Sequence, residues 1–479
     1  MEQPQPEKKK MPSKTLGAII AVAIVIIVVG SVVGYELSKP KTTPTTTQPQ
    51  YLAVYPGPAG VNNSAHLVGG DVLAVARGSP DMTAIEQFLA YMMSPYVQQE
   101  YLNATGFIPV DKNAYGGMSA SQNSFDSSIY SPSNATVTIY YYDDITPTDA
   151  TFVQGIISAF HSEFKNINVD YVNEPATDIV SGVQSFEAAG TGSGSSFAIS
   201  RAIVMSIDNL DVGTLFYDND LANLTSMAST VMPSDIISSI SQVTNYETAV
   251  FGGIYFITER VNIPLVWINY TALKNAGISN LPNNDSALLT DAKILYNKYG
   301  IGMINFQGHG GASTATELYQ WMVQFGGNPL NFNDTGDIQA MEYIYNLSKY
   351  FSPEYKTSYW ATYKGLASNK YTVMDYQWPG SVNLTALGMK VENNVSVANV
   401  SEQAIKEGVF LRTPVPWISE WQTLIDDAWT TLIVDGGSYT QIASVLSHEN
   451  QQLYNFLESN YGPTVASNYE NGSYKPLEV

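Results

Sequence analysis

VTIYYYDDITPTDATFVQGIISAFHSEFKNINVDYV, residues 137–172, changes its apolar period twice, and that change decides the fold. Its first six residues are β-branched or aromatic and read as a strand. Phe152, Ile156, Phe160 and Phe164 then recur every fourth residue, the spacing of one helical face, with Thr148 or Asp149 placed to cap it. Ile167 to Val172 returns to strand. Farther on, Ile179 to Ala189 reads as a helix stopped by Gly190, and AIVMSI at 202–207 as a buried parallel strand. The unit is βαβαβ.

The pattern continues in both directions. PLVWINY at 264–270 reads as strand, 287–298 and 316–325 as helices, and Trp421, Leu424, Ala428 and Leu432 as one side of another helix. Upstream, Ser79-Pro80-Asp81 predicts an N-cap with proline at the first helical position, and Ile85, Phe88, Leu89 and Met92 form the stripe of the helix it starts. Ser94-Pro95 breaks that helix before a second, shorter one. Two α/β lobes are the packing these elements predict.

The chain has 479 residues, too many for one core, and no cysteine, which removes thiol nucleophiles, thiolate metal sites and disulfides. Its formal net charge of −21 argues against nucleic acid as a partner. Charged residues make up 14% where about 25% is usual, while tyrosine reaches 32, a polar but sparsely charged surface suited to hot, acid solvent. His66, His161, His309 and His448 are scattered without a ligand spacing, so no metal or other cofactor is expected.

Residues 16–34 (LGAIIAVAIVIIVVGSVVG) carry no charge and are about long enough to cross a bilayer. Lys8, Lys9, Lys10 and Lys14 precede them, which keeps the N-terminus inside and places the large C-terminal part outside. A cleaved signal peptide is the alternative, and Ser13 to Ala18 resembles the archaeal pilin-like signals. The Pro/Thr-rich residues 35–50 then form a stalk. Without its first 41 residues the chain holds 16 basic and 40 acidic side chains, so anionic ligands are repelled. Twelve N-x-S/T acceptors fit exposure on a glycosylating surface.

Residues 71–110 (DVLAVARGSPDMTAIEQFLAYMMSPYVQQEYLNATGFIPV) resemble a strand, helix, "sp..Q" and "tG.iPv" passage of the family 1 extracellular solute-binding proteins. Residues 137–172 resemble that family's first strand–helix–strand. Gly253-Ile254-Tyr255 with the passage from Trp267 to Ile278 is similar to its "G.iYgiP … l.yN...fk.aGi". The likeness covers most of 51–465, with one departure: the 71–110 passage stands before the first strand instead of late in the chain. The resemblance implies an α/β, two-lobed periplasmic-binding-protein-like (Venus-flytrap) fold behind one transmembrane helix, of an archaeal sugar-binding type. Expected boundaries are 1–15 cytoplasmic, 16–34 anchor, 35–50 linker, 51–133 transposed segment on lobe 1, 134–258 lobe 1, 259–380 lobe 2, and 381–479 returning to lobe 2. It further implies a carbohydrate ligand and an ABC transporter permease as partners.

A neutral sugar needs aromatic faces and hydroxyl partners between closing lobes. Trp378, beside Tyr376 and Gln377, is the stacking candidate, with core burial as the alternative. Asp143 and Asp144, at the carboxyl end of the first strand, are placed where open α/β sheets present ligand contacts, or serve as a capping pair. Gly70 and Asp71 let backbone approach a hydroxyl, or form a turn. Asp208 and Asn209 follow the third strand in the same way, and Gln307 and His309 occupy a Gly-rich loop. The expectation is binding without catalysis. A glycoside hydrolase using carboxylates such as Asp143, Asp144, Asp426 and Asp427 is the enzymatic alternative, and a surface adhesin the other.

Overall fold

The computed structural model describes residues 51–105, 107–116, 136–145, 147–233, 236, 238–357, 365–366, 368–377, 390–391 and 397–478. The expected anchor and stalk, and Trp378, lie outside these residues. No helix among the described residues is long and apolar enough to cross a membrane.

In chain order the elements that build the body begin with β1 (Tyr51–Tyr55), β2 (His66–Val75), α1 (Met82–Met92), α2 (Pro95–Thr105) and β3 (Ile108–Pro109). The βαβαβ unit follows as β4 (Val137–Asp143), α3 (Pro147–Glu163), β5 (Ile167–Asn173), α4 (Ala176–Ala188) and β6 (Ala202–Asp208). Next come α5 (Ser238–Val250), β7 (Phe256–Asn262), β8 (Leu265–Asn269), α6 (Asp285–Tyr299), β9 (Ile304–Asn305) and α7 (Ala312–Gln324). The chain closes with α8 (Thr335–Ser348), β10 (Val373–Gln377), β11 (Lys390–Val391), α9 (Val397–Glu407), β12 (Val409–Leu411), α10 (Ile418–Trp429), α11 (Ile442–Tyr461) and β13 (Leu477–Glu478).

Among the described residues the strands form two sheets. In the first, β5, β4 and β6 are parallel, β2 lies antiparallel to β6, β7 antiparallel to β2, and β12 parallel to β2. The passage from Asp71 to Val110 therefore docks on the sheet begun at Val137. Phe88 of α1 meets Tyr141 of β4 and Phe160 of α3 edge-on, with ring centroids 5.1 and 5.2 Å apart. Ile85, Phe88, Leu89 and Met92 are all fully buried. The expected Ser79 cap with proline at the first helical position does not form: the helix starts at Met82, and Asp81 before it is left-handed (φ 58°) with no side-chain cap bond. Ser79 Oγ instead accepts the Ile203 N–H at 3.1 Å, because the turn lies against the end of β6. Thr148 and Asp149 also fall inside α3, which starts at Pro147.

The second sheet runs β11-β1-β8-β10-β9. One of its faces, Val266 and Ile268, packs on α7, α8, α10 and α11 around the buried Trp417, Trp421 and Trp429. Its other face, Leu52, Val54, Leu265 and Trp267, continues the core of the first sheet together with Val400 and Ala404 of α9. The division at 51 and 258/259 is thus shifted. β1 belongs to the second sheet, the chain enters the first only at His66, and β7 stays there until Asn262 before Ile263-Pro264 leads into β8. β7–β8 passes from one sheet to the other, and β2 and β12 of the first sheet send Leu67 and Phe410 into the second core, so these are the crossing strands.

Candidate functional site

The site grows from strand ends. On β2 the even-numbered residues turn their peptide groups to one edge: His66 N–H donates to Gly408 O at 2.9 Å and Gly70 O accepts from Asn209 N–H at 3.1 Å. β12 runs up this edge to Leu411 opposite Val68, and β6 runs down it to Asp208 opposite Asp71. Two carboxyl ends thus converge on Gly69–Gly70, with the end of β4 alongside, which is the switch-point geometry at which open α/β sheets hold ligands. Gly70 has φ 139°, and a Cβ there would lie 2.1 Å from the Arg260 carbonyl oxygen. Gly70→Ala should lower stability by about 1–3 kcal/mol from backbone strain alone, measured by denaturant unfolding; an unchanged midpoint would contradict the register.

Arg260 of β7, 1% exposed, sits beneath this point. Its Nε donates to Asp71 Oδ2 at 2.6 Å, Nη2 to Asp143 Oδ1 at 3.0 Å, and Nη1 to Glu259 Oε2 at 2.6 Å and Tyr101 Oη at 3.2 Å. Asp143 has no exposed surface and also accepts from the Ile145 N–H and Tyr171 Oη, so it faces inward and holds Arg260. Burial outweighs Arg260 at Asp71, pushing its carboxyl up to about 6, and does the same at Glu259, to about 7.

The cluster's open side is made by Asp144, Asp208, Asn209 and Asp211. Asp144 Oδ2 accepts the Asp208 N–H at 3.1 Å, and burial raises its pKa well above the usual range. The Asp208 side chain is 40% exposed, enough to meet a solute. Burial pushes Asp211 up to about 7. Arg412, directly after β12, ties both halves together: Nη2 donates to Asp208 Oδ1 (2.9 Å) and Asn209 Oδ1 (3.1 Å), and Nη1 to Thr316 Oγ1 of α7 (2.9 Å).

In the second sheet β9 and β10 are parallel, so their carboxyl ends lie together. One leads into the Gln307–Gly311 loop before α7; the other ends at Tyr376 and Gln377, whose backbone alone is described. Gln307 is 2% exposed and uses its backbone, donating N–H to Glu317 Oε2 and accepting from Thr314 Oγ1. His309 is exposed, and its partial burial lowers its pKa despite nearby Asp426. Asp426 Oδ2 accepts the Gly311 N–H at 2.6 Å. Gly308 leaves room for Tyr355 and Trp429, since a Cβ there would come within 2.6 Å of both rings. Trp429 stacks on Phe306 inside (4.9 Å), while Tyr355 is half-buried and presents an aromatic edge to the loop.

Six sequence candidates, Gly70, Asp71, Asp143, Asp144, Asp208 and Asn209, therefore meet in one cluster, with Asp71 and Asp143 occupied by Arg260. Gln307 and His309 belong to one loop of the other sheet. Sequence reasoning missed Arg260, Glu259, Asp211, Arg412 and Tyr355. The only available signal was a lone arginine inside or just after an apolar run, ITERVNIP at 257–264 and VFLR at 409–412, in a chain with few cations.

No family model matches the chain, and no curated protein matches it. Solved structures show a partial likeness to the chain. The GacH receptor of Streptomyces glaucescens, solved unliganded and with acarbose, is 14% identical; the match covers 66% of this chain and 98% of that one, at a TM-score of 0.49. Lmo0181 from Listeria monocytogenes, an ABC substrate-binding protein in complex with cycloalternan, is 12% identical over 67% and 99%, at 0.48. Maltose-bound MalE3 of T. maritima is 13% identical over 66% and 100%, at 0.47. At these scores the likenesses carry no weight for function.

Proposed function

We propose that this chain is the extracellular substrate-binding subunit of an ABC importer, anchored by residues 16–34, which captures a sugar or oligosaccharide without chemistry and delivers it to the permease. The observation that supports this most is the bridge at Arg412, where a guanidinium beside a crossing strand joins strand-end groups of one sheet to the first turns of α7 behind the other. Hydroxyl-bearing guests suit the open side, where Asp144, Asp208 and Asn209 offer acceptors and Tyr355 a ring near His309. Ligand contacts from both halves favour the closed arrangement, and the permease reads that arrangement. The 71–110 passage is a transposed family segment in this reading, which keeps its contacts with β6 and β7 while changing only connections. No observation favours the hydrolase: Asp143, one of its proposed carboxylates, is fully buried on Arg260.

Titration calorimetry of the full chain in detergent, against mono- and oligosaccharides, amino acids and short peptides, tests the proposal. Saturable heat with a sugar and no released reducing ends supports it; release of reducing sugar, or heat with peptides alone, sinks it. Arg412→Ala should weaken that sugar roughly tenfold or more, since truncating a buried, hydrogen-bonded charge costs about 2–5 kcal/mol where the closed state depends on it. Small-angle scattering should show the variant expanded without ligand. Equal affinity and equal radius would remove Arg412 from the closing device.

A further inference from the structure

A second space between the halves lies at the far end of α7. This helix runs along the entry to β2: Thr316 meets Arg412, Gln320 Oε1 accepts the Leu67 N–H at 2.9 Å, and Gln324 Nε2 donates to Ala65 O at 2.9 Å. Its rise from 312 to 324 is about 18 Å, so its two ends reach different stretches of β2 and β12. At the C-terminal end is a cavity of about 1040 Å³, walled by α5 of one half and by residues 326–328 of the other, with 408–411 between them. That volume matches the upper end of small-ligand sites, about 300–1,000 Å³.

Asn62 lies in the lining of this cavity and begins the acceptor Asn62-Asn63-Ser64 in the turn between β1 and β2. The turn is fixed by backbone: Asn62 and Asn63 N–H both donate to Gln324 O, at 3.1 and 3.3 Å, and Asn63 Nδ2 donates to Val323 O at 3.1 Å. The Asn62 amide itself is exposed and takes no hydrogen bond from the described residues. Several other acceptors among the described residues are spent or rigid. Asn269 is fully buried and caps a helix, Asn284 caps α6, and Asn103, Asn346 and Asn399 stand within helices.

We propose that Asn62 is an N-glycosylation site whose glycan folds back into this rear cavity and touches both halves. The inference rests on the extracellular placement proposed above. The Asn62 Nδ2 forms a bond to the anomeric carbon of a lipid pyrophosphate-linked oligosaccharide; the carbon–oxygen bond to phosphate breaks, the lipid pyrophosphate leaves with the electron pair, and the amide loses one proton. The exposed amide of Asn245 and the Lys475 ammonium supply hydroxyl partners, and Tyr246 supplies a ring.

The test uses the full chain expressed in a host that transfers N-glycans to extracellular domains. Glycopeptide mass spectrometry should find a glycan at Asn62 that disappears in Ser64→Ala. Native endoglycosidase digestion should release it several-fold more slowly than glycans at Asn223 or Asn471, and at the same rate after denaturation. A bare Asn62 in protein modified at Asn223 or Asn471, a chain bare at every acceptor, or equal native release rates would each overturn the proposal. Sugar calorimetry on the Ser64→Ala chain scores the transport reading separately.

Discussion

Arg260→Ala should destabilise the protein by about 3–5 kcal/mol at neutral pH, the cost of removing one partner from a buried ion cluster. The guanidinium, 1% exposed, is the cation that touches Asp71, Asp143 and Glu259, two of them fully buried. Without it, up to three carboxylates remain in a low-dielectric interior, each having lost a guanidinium N–H donor at 2.6–3.0 Å. Asp71 and Glu259 would take up protons in response, because burial already pushes Asp71 to about 6 and Glu259 to about 7 while Arg260 is pulling both down. The deficit should therefore be large at pH 8 and much smaller near pH 4, where folded Asp71 and Glu259 are already neutral and no longer need the guanidinium. Urea unfolding at the two pH values checks this. A deficit that is equal at both, or absent at pH 8, would show that the cluster is not held by Arg260.

That cluster also marks where the sequence stops being informative. The βαβαβ unit was readable because Tyr141, Phe160 and Ile203 belong to runs whose period alone separates strand from helix. Carboxyl-end placement of Asp143, Asp144, Asp208 and Asn209 followed from those runs, and the four do lie together. Arg260 was not readable. Its partners Asp71 and Asp143 stand 189 and 117 positions away, and a charged residue in ITERVN suggests a solvent-facing strand until β2 is known to cover it. The expected cap at Ser79 failed for a related reason, since its hydroxyl takes the Ile203 amide, 124 positions on. Long-range pairing, not local propensity, set both outcomes. The expected boundary at 51 carried no signal for the strand at 51–55, whose place beside β8 is set by its register with Val266 to Asn269.

The body should be more stable in mild acid than at pH 8, and Glu247→Gln should remove a measurable part of that difference. Glu247 on α5 is 1% exposed, and its Oε1 accepts the Tyr255 and Phe256 N–H groups at 3.0 and 3.1 Å. Burial pushes its pKa from 4.5 up to about 8, against the pull of those two donors. A carboxyl whose folded pKa is raised holds its proton longer folded than unfolded, so stability falls as pH rises across the gap. Below about pH 4.5 both states are protonated and the penalty vanishes; above about 8 both are ionised and it is complete, on the order of 5 kcal/mol at most. Asp71, Asp211 and Glu259 add the same sign over a window ending near 6 to 7. Glutamine keeps an oxygen for both backbone donors and carries no charge at any pH. The Glu247→Gln chain should therefore match the parent at pH 4 and melt higher at pH 9, with scanning calorimetry as the check. A variant that melts lower at pH 9, or a parent whose stability rises from pH 5 to 8, would mean that these buried acids are solvated, and with them the open side of the strand-end cluster.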